Sequence, residues 1–205
     1  MTSGSEPISE RPVPRVRLKP RESRRIKRGH RWIFSNEIAD PVKDLPPGSL
    51  VDIVDERGAP LGRGYVNPQS LITIRVLAPA GREIDAAFFR GRIAAARSYR
   101  ERICGSRTAG REVFGEADGL PGLVVDRYGP FLVVQSLAAG IEVRLPVILD
   151  LLDEIYSPRA IVLRNDSPAR GLEGLAAEVR VARGRLDSED GIVETEVDGL
   201  AVEVD

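Results

Sequence analysis

The densest run of reactive side chains lies near the start of the chain. Positions 11 to 31 hold ten Arg or Lys residues against a single Glu. Arg15, Arg17, Lys19, Arg21, Arg24, Arg25, Lys27, Arg28 and Arg31 would each neutralise a phosphate if one surface presented them. Guanidinium groups also fork onto phosphate oxygens and stack on bases. Acids normally intersperse with bases on a solvated face. Their near absence here favours nucleic-acid binding over a plain charged surface. Trp32 and Phe34 adjoin the run and offer either stacking faces or core side chains, core being the commoner fate. His30 reads as a hydrogen-bonding contact rather than a titrating catalyst. Arg63, Tyr65 and Asn67 lie at a strand end from which they can approach RNA, and Asn67-Pro68 suits a β-turn equally well.

Beyond this run the catalytic inventory is thin. One Cys and one His exclude an internal disulfide framework and zinc sites built from several such ligands. They also leave little scope for Ser-His or Cys-His relays. Cys104 closes a helical stretch with no base nearby in sequence, which fits a surface or semi-buried thiol better than a nucleophile. No G-x-G-x-x-G follows a strand, because Gly62 and Gly64 lead into Tyr65, Val66 and Asn67 within a strand pattern. No metal site and no S-adenosylmethionine site is legible. The segment RNDSPARGLEGL, residues 164 to 175, packs turn-forming residues between two strands, and Arg170 and Glu173 are expected to pair and hold that loop.

These residues need elements to position them. Val16 and Leu18 alternate with Arg15, Arg17 and Lys19 as in a half-buried strand ended by Pro20. Residues 22–28 suit a short helix closed by Gly29, with Ile26 facing the core and both Arg24 and Arg25 facing out. LVDIVD, LGRGYV and LITIRVLA continue as strands, completing a small β-barrel-like module. Asp85 is a good N-cap for a helix over 86–103, with Phe89, Ile93, Ala96 and Ile103 on one face. Then come a hairpin, GLVVD and PFLVVQSL, and an amphipathic helix carrying Ile141, Leu145, Ile148, Leu152 and Ile155. Pro146 fits that helix only in its first turn or at a kink. RAIVLR and EVRVAR read as strands, and residues 192–204 as a hairpin turning at Asp198 and Gly199.

The fold class is therefore α+β. A tail over 1–13, rich in Ser, Glu and Pro, is expected to be disordered. An RNA-binding domain over 14–80, a linker helix over 81–110 and an α+β domain over 111–205 follow. Nowhere do 18 apolar residues run uninterrupted, and MTSGSEPISE offers no signal-peptide h-region. A cytoplasmic protein without membrane contact is expected. Net charge is only −1, yet residues 171 to 205 hold ten acids against three bases, so the two ends differ in chemistry.

Taken in order, VRLKPRESRRIKRGHRWIFSNEI, LGRGYVNPQSLITIRVL, VFGEADGLPGLVVDRYGPFLVVQ and RNDSPARGLEGL resemble the ribosomal large-subunit methyltransferase I family over residues 15 to 205. The resemblance implies an N-terminal PUA domain that binds RNA on the basic helix, its flanks and the GRGYVNP strand end. It also implies a central domain of strand-strand-helix-strand-strand type. In the family a C-terminal Rossmann-like domain follows. It binds S-adenosylmethionine and methylates carbon 5 of a cytosine in large-subunit (23S) ribosomal RNA. This chain ends at LAVEVD, before the family's donor loop and cysteine nucleophile, so the 205 residues alone are expected to hold no cofactor and transfer no methyl group.

The expected RNA-binding set is Arg17, Lys19, Arg24, Arg25, Lys27, Arg28, His30, Arg31, Arg63, Tyr65 and Asn67, and the expected partner is structured large-subunit ribosomal RNA. The alternative is a self-sufficient RNA-binding or assembly module without catalytic activity, and a protein-interaction scaffold using the acidic end ranks below both. Leu200, Val202 and Val204 are expected to form a poorly covered edge, inviting a homodimer.

Overall fold

A computed structural model describes residues 13–105, 107–186, 193–197 and 200–204. The expected tail lies outside them except for Val13.

Val16 and Leu18 are fully buried between exposed cations, so the alternation at the start forms strand β1 (Arg15–Arg17), which pairs parallel to β3 (Leu50–Val54). Helix α1 (Ser23–Lys27) and the two-residue strand β2 (Trp32–Ile33) lie between them in sequence. With β4 (Pro60–Val66) and β5 (Ile74–Ala78) they make a five-stranded sheet of order β1-β3-β4-β5-β2. Its core gathers Val16, Leu18, Ile33, Val51, Ile53, Val66, Ile74 and Val76, with Ile26 of α1 partly buried against it. Gly64 sits where β4 shifts register against β5, and any Cβ there would strike the backbone carbonyl of Arg75.

Helix α2 (Ala86–Cys104) opens as its sequence dictates, the Asp85 carboxylate accepting from the Phe88 amide at 2.8 Å. Phe88, Phe89, Ile93 and Ala96 turn inward, whereas Ile103, expected on the same face, is exposed in the last turn beside the exposed Cys104. A second sheet follows, ordered β10-β9-β8-β7-β6. It comprises β6 (Ala109–Phe114), β7 (Leu123–Tyr128), β8 (Phe131–Ser136), β9 (Ala160–Asn165) and β10 (Glu178–Gly184).

Strand β6 goes beyond the expected pattern. Only Val113 of its six residues is buried, so this edge strand carries almost no apolar period to read. Where one helix was expected over 141–155 there are two, α3 (Ala139–Glu142) and α4 (Leu145–Tyr156), with Pro146 in the first turn of α4 where its missing N–H costs nothing. They carry the chain from β8 to β9, which pair in parallel, so the second half contains one βαβ unit. Strands β11 (Val193–Val197) and β12 (Leu200–Val204) pair antiparallel as expected. Their turn and the exposure of Leu200, Val202 and Val204 lie outside the described residues.

Candidate nucleic-acid interface

On α1 the helical period sends Ser23 and Ile26 toward the sheet and leaves Arg24, Lys27 and Arg28 exposed. Arg17 and Lys19 project outward from the first strand and its extension, and the Lys19 ammonium donates to the Asn36 carbonyl at 2.7 Å. The side chains of Arg15, Arg17, Arg21, Arg24 and Arg28 make no ion pair or hydrogen bond with any described residue. Lys27 reaches Asp55 at 3.2 Å from an exposed position.

Arg25 behaves otherwise. Its guanidinium turns back to Glu37 at 2.8 Å, lies 5.4 Å from the Phe34 ring centroid, and is 2.9 Å from Nε2 of His30. The expectation that Arg24 and Arg25 both point outward therefore holds for Arg24 alone, because the buried Glu37 carboxylate claims its neighbour. His30 is exposed, and its Nδ1 lies 3.1 Å from the Trp32 amide.

Four other expected contacts are committed within the protein. Arg31 donates to the Val76 and Leu77 carbonyls at 3.2 and 3.3 Å, and burial, followed by the charge of Arg92, lowers its pKa. Arg63 forks onto Asp52 at 2.7 and 2.9 Å, a bond that raises its pKa. Tyr65 is 2 % exposed; its hydroxyl donates to the Pro121 carbonyl, and burial pushes its pKa well up. Any Cβ at Gly140 would collide with its ring, so the second half of the chain is shaped around a Tyr65 peg from β4. Asn67, also 2 % exposed, keeps its turn role by accepting from the Gln69 amide at 3.1 Å, and donates to Glu173 Oε2 at 2.9 Å. Neither Tyr65 nor Asn67 presents an open face to a ligand.

The loop over 164–175 closes this seam. Glu173, 4 % exposed, accepts from Ser70 Oγ at 2.7 Å, Arg75 at 2.8 Å and the Ala139 amide at 3.2 Å besides Asn67. Burial alone would raise its pKa, but the bonds from Asn67 and Ser70 and the charge of Arg75 prevail and hold it below the ordinary carboxylate range. Arg170 does not pair with it. Instead Arg170 meets Glu142 at 3.0 Å and donates to the Ser136 and Ala176 carbonyls. Both charges hold the loop, but through separate networks and not by pairing with each other.

Trp32 and Phe34 alternate with the buried Ile33, so both face one side of the β2 segment as half-buried side chains. There they wall a cleft of about 660 Å³ between the two sheets. Trp32 Nε1 donates to Glu116 Oε1 at 2.6 Å, and Arg75 lies 5.9 Å from the Trp32 ring centroid. Leu71 and Leu172 stand 78 % and 75 % exposed at the cleft. Sequence reasoning had no signal for Glu116 or Leu172, whose partners come from the other half of the chain. Among the described residues no group of His, Cys, Asp and Glu could hold a metal ion.

A cation-studded mixed sheet seated on an α+β layer defines the class: residues 16–79 match the PUA-like domain. Ribosomal RNA large subunit methyltransferase I of Cronobacter sakazakii is 37 % identical over 177 residues, 85 % of this chain and 43 % of that protein. The proteins of the same name from Shewanella frigidimarina and Tolumonas auensis are 37 % and 38 % identical over 194 residues, 93 % of this chain and 49 % and 48 % of theirs. The chain is thus related to the ribosomal RNA large subunit methyltransferase I family, and it spans about half the length of the curated relatives it matches. A structure assigned as a SAM-dependent methyltransferase from Streptococcus mutans superposes with a TM-score of 0.76, covering 93 % of this chain and 48 % of its own at 14 % identity. A second structure assigned as a methyltransferase and solved with SAH gives 0.77 at 14 % identity, over 93 % of this chain and 47 % of its own. At that identity the likeness speaks to fold.

Proposed function

We propose that this chain binds structured RNA through the exposed cations of its PUA-like domain and positions large-subunit ribosomal RNA for methylation at cytosine carbon 5. The observation that carries the reading is the set of unpaired guanidinium groups around α1, above all Arg24 and Arg28, on a domain in which Arg25, Arg31, Arg63 and Arg75 are engaged internally. Arg17, Lys19, Lys27 and His30 extend the surface. The names of the curated relatives supply the ribosomal substrate and the methyl transfer.

S-adenosylmethionine belongs to this reading as the donor of the whole enzyme, and the described residues do not fit it. A nucleotide-type cofactor needs an open turn at the head of a βαβ unit. In the unit between β8 and β9 that turn is filled. The Ala139 amide is spent on Glu173, the Tyr65 ring covers Gly140, and Ala138 is fully buried.

The test is a titration of the 205-residue chain with a structured large-subunit ribosomal RNA fragment at two salt concentrations. Phosphate neutralisation releases condensed counterions, so affinity should fall steeply with salt. Replacing Arg24 and Arg28 together by Ala should flatten the log-log slope by roughly 0.7 to 0.9 per lost contact. An unchanged slope would place the RNA elsewhere.

A further inference from the structure

We infer that the cleft between the two sheets is a binding site for a single unstacked nucleobase, taken from an RNA strand whose backbone runs over α1. The inference rests on the RNA-binding reading above and assigns the cleft a ligand of its own.

The cleft has the walls a base requires. Trp32 and Phe34 line it as half-buried aromatic side chains, and Leu71 and Leu172, each at least three-quarters exposed, line it with them. Large apolar side chains left open in the same cleft as aromatic ones match a flat, apolar-faced ligand, because stacking on aromatic rings is the sequence-tolerant way to hold a base. At about 660 Å³ the space exceeds what one base needs.

The charges assign base and backbone to different places. Glu116 lines the cleft half-exposed. Its Oε1 holds the Trp32 indole, while no described residue hydrogen-bonds its Oε2. A free carboxylate oxygen accepts from the N–H groups of a base edge and repels a phosphate. The cations near it are already engaged: Arg75, 3.7 Å from its Oε1, is claimed by Glu173 at 2.8 Å, and Arg31 donates to the Val76 and Leu77 carbonyls. Unpaired positive charge lies instead around α1, and a second hollow shares two walls with the cleft on that side. Gly29, His30 and Arg31 line this hollow of about 380 Å³, and the shared walls are Trp32 and Glu116. Phosphates on Arg24 and Arg28 and a base against Trp32 satisfy both regions at once.

Trp32 is the chain's one tryptophan, so its fluorescence reports the cleft and the hollow that shares this wall, and Leu172, which lines the cleft alone of the two, tells them apart. The full chain is titrated with three RNAs of about ten nucleotides: a mixed single strand, an abasic strand of equal charge, and a blunt duplex. The mixed strand should quench Trp32 and bind at least about fivefold more tightly than the abasic one. The abasic strand and the duplex should bind with salt-dependent affinity and leave the fluorescence unchanged. Leu172→Ser alters an exposed side chain, so the fold is kept. It should weaken the mixed strand about fivefold and the abasic strand not at all, whereas Arg24→Ala should weaken both. Equal affinity for mixed and abasic strands without quenching overturns the base site and leaves the RNA-binding reading standing. Absence of binding by all three overturns both.

Discussion

Arg24 on α1 and Arg75 on β5 carry the same guanidinium and do opposite work. Arg24 stands in solvent with no described partner. Arg75 has a side chain 11 % exposed and clasps the side chain of Glu173, itself 3 % exposed, across the seam between the sheets. Around Arg75 nearly every polar group is answered: Asn67 and Ser70 share Glu173, Arg144 donates to the Gly48 carbonyl at 2.8 Å, and Arg170 meets Glu142. Around α1 the charges are left over. A buried arginine without its carboxylate is costly, so the seam is fixed by mutual need, whereas a solvated arginine costs little and stays available to an external anion. Composition counts both alike, and only the partner separates structure from function.

The contrast breaks most sharply at Glu173. Replacing it by Ala strips the buried Arg75 guanidinium of its nearer carboxylate, leaving only Glu116 at 3.7 Å, and leaves the Asn67 amide only the backbone carbonyl of residue 173, so chemical denaturation should show a loss of about 3–5 kcal/mol. A loss comparable to that of a surface pair would remove the distinction between the two regions.

Acid should expose the same dependence. The Glu173 carboxyl is held below its unfolded value, so its contribution is complete above the ordinary carboxylate range and is lost as pH falls through the folded value. The stability gap between the native chain and Glu173→Gln should therefore shrink on acidification below about pH 4 and stay constant from there to neutrality. A gap that stays unchanged as pH falls below about 4 would show that the charge of Glu173 contributes nothing.

Two smaller changes probe the peg. Gly140→Ala drives a methyl group into the Tyr65 ring and should cost about 1–3 kcal/mol in thermal or denaturant unfolding. Tyr65→Phe keeps the ring and removes only the bond to Pro121, so a loss of about 1 kcal/mol is expected. If the order of these two were reversed, ring packing would not be what seats β4 against α3. At the far end of the scale, Arg24→Ala combined with Arg28→Ala should move stability by less than about 0.5 kcal/mol while weakening RNA binding. A marked destabilisation would make these arginines structural like Arg75.

The amino-acid sequence by itself determined what depends on near neighbours. The strand alternation at Val16 and Leu18, the Asp85 cap, the first-turn place of Pro146 and the turn at Asn67 are each set within a few residues by backbone geometry and local hydrogen bonding. The basic face of α1 was legible for the same reason, since helical period alone sorts Ile26 inward and Arg24 outward. Edge strand β6, with one buried residue, gave no such period to read. What the tertiary structure decided is which charges and rings are spent. Glu37 claims Arg25, Asp52 claims Arg63, and Glu173 binds Asn67 from 106 residues away. Trp32 meets Glu116 across 84 residues, which turns an aromatic beside a basic run into one wall of a cleft. Such partners are brought together by the packing of two separate sheets, and no local pattern records that packing, because side-chain pairing at contact distance is independent of separation along the chain.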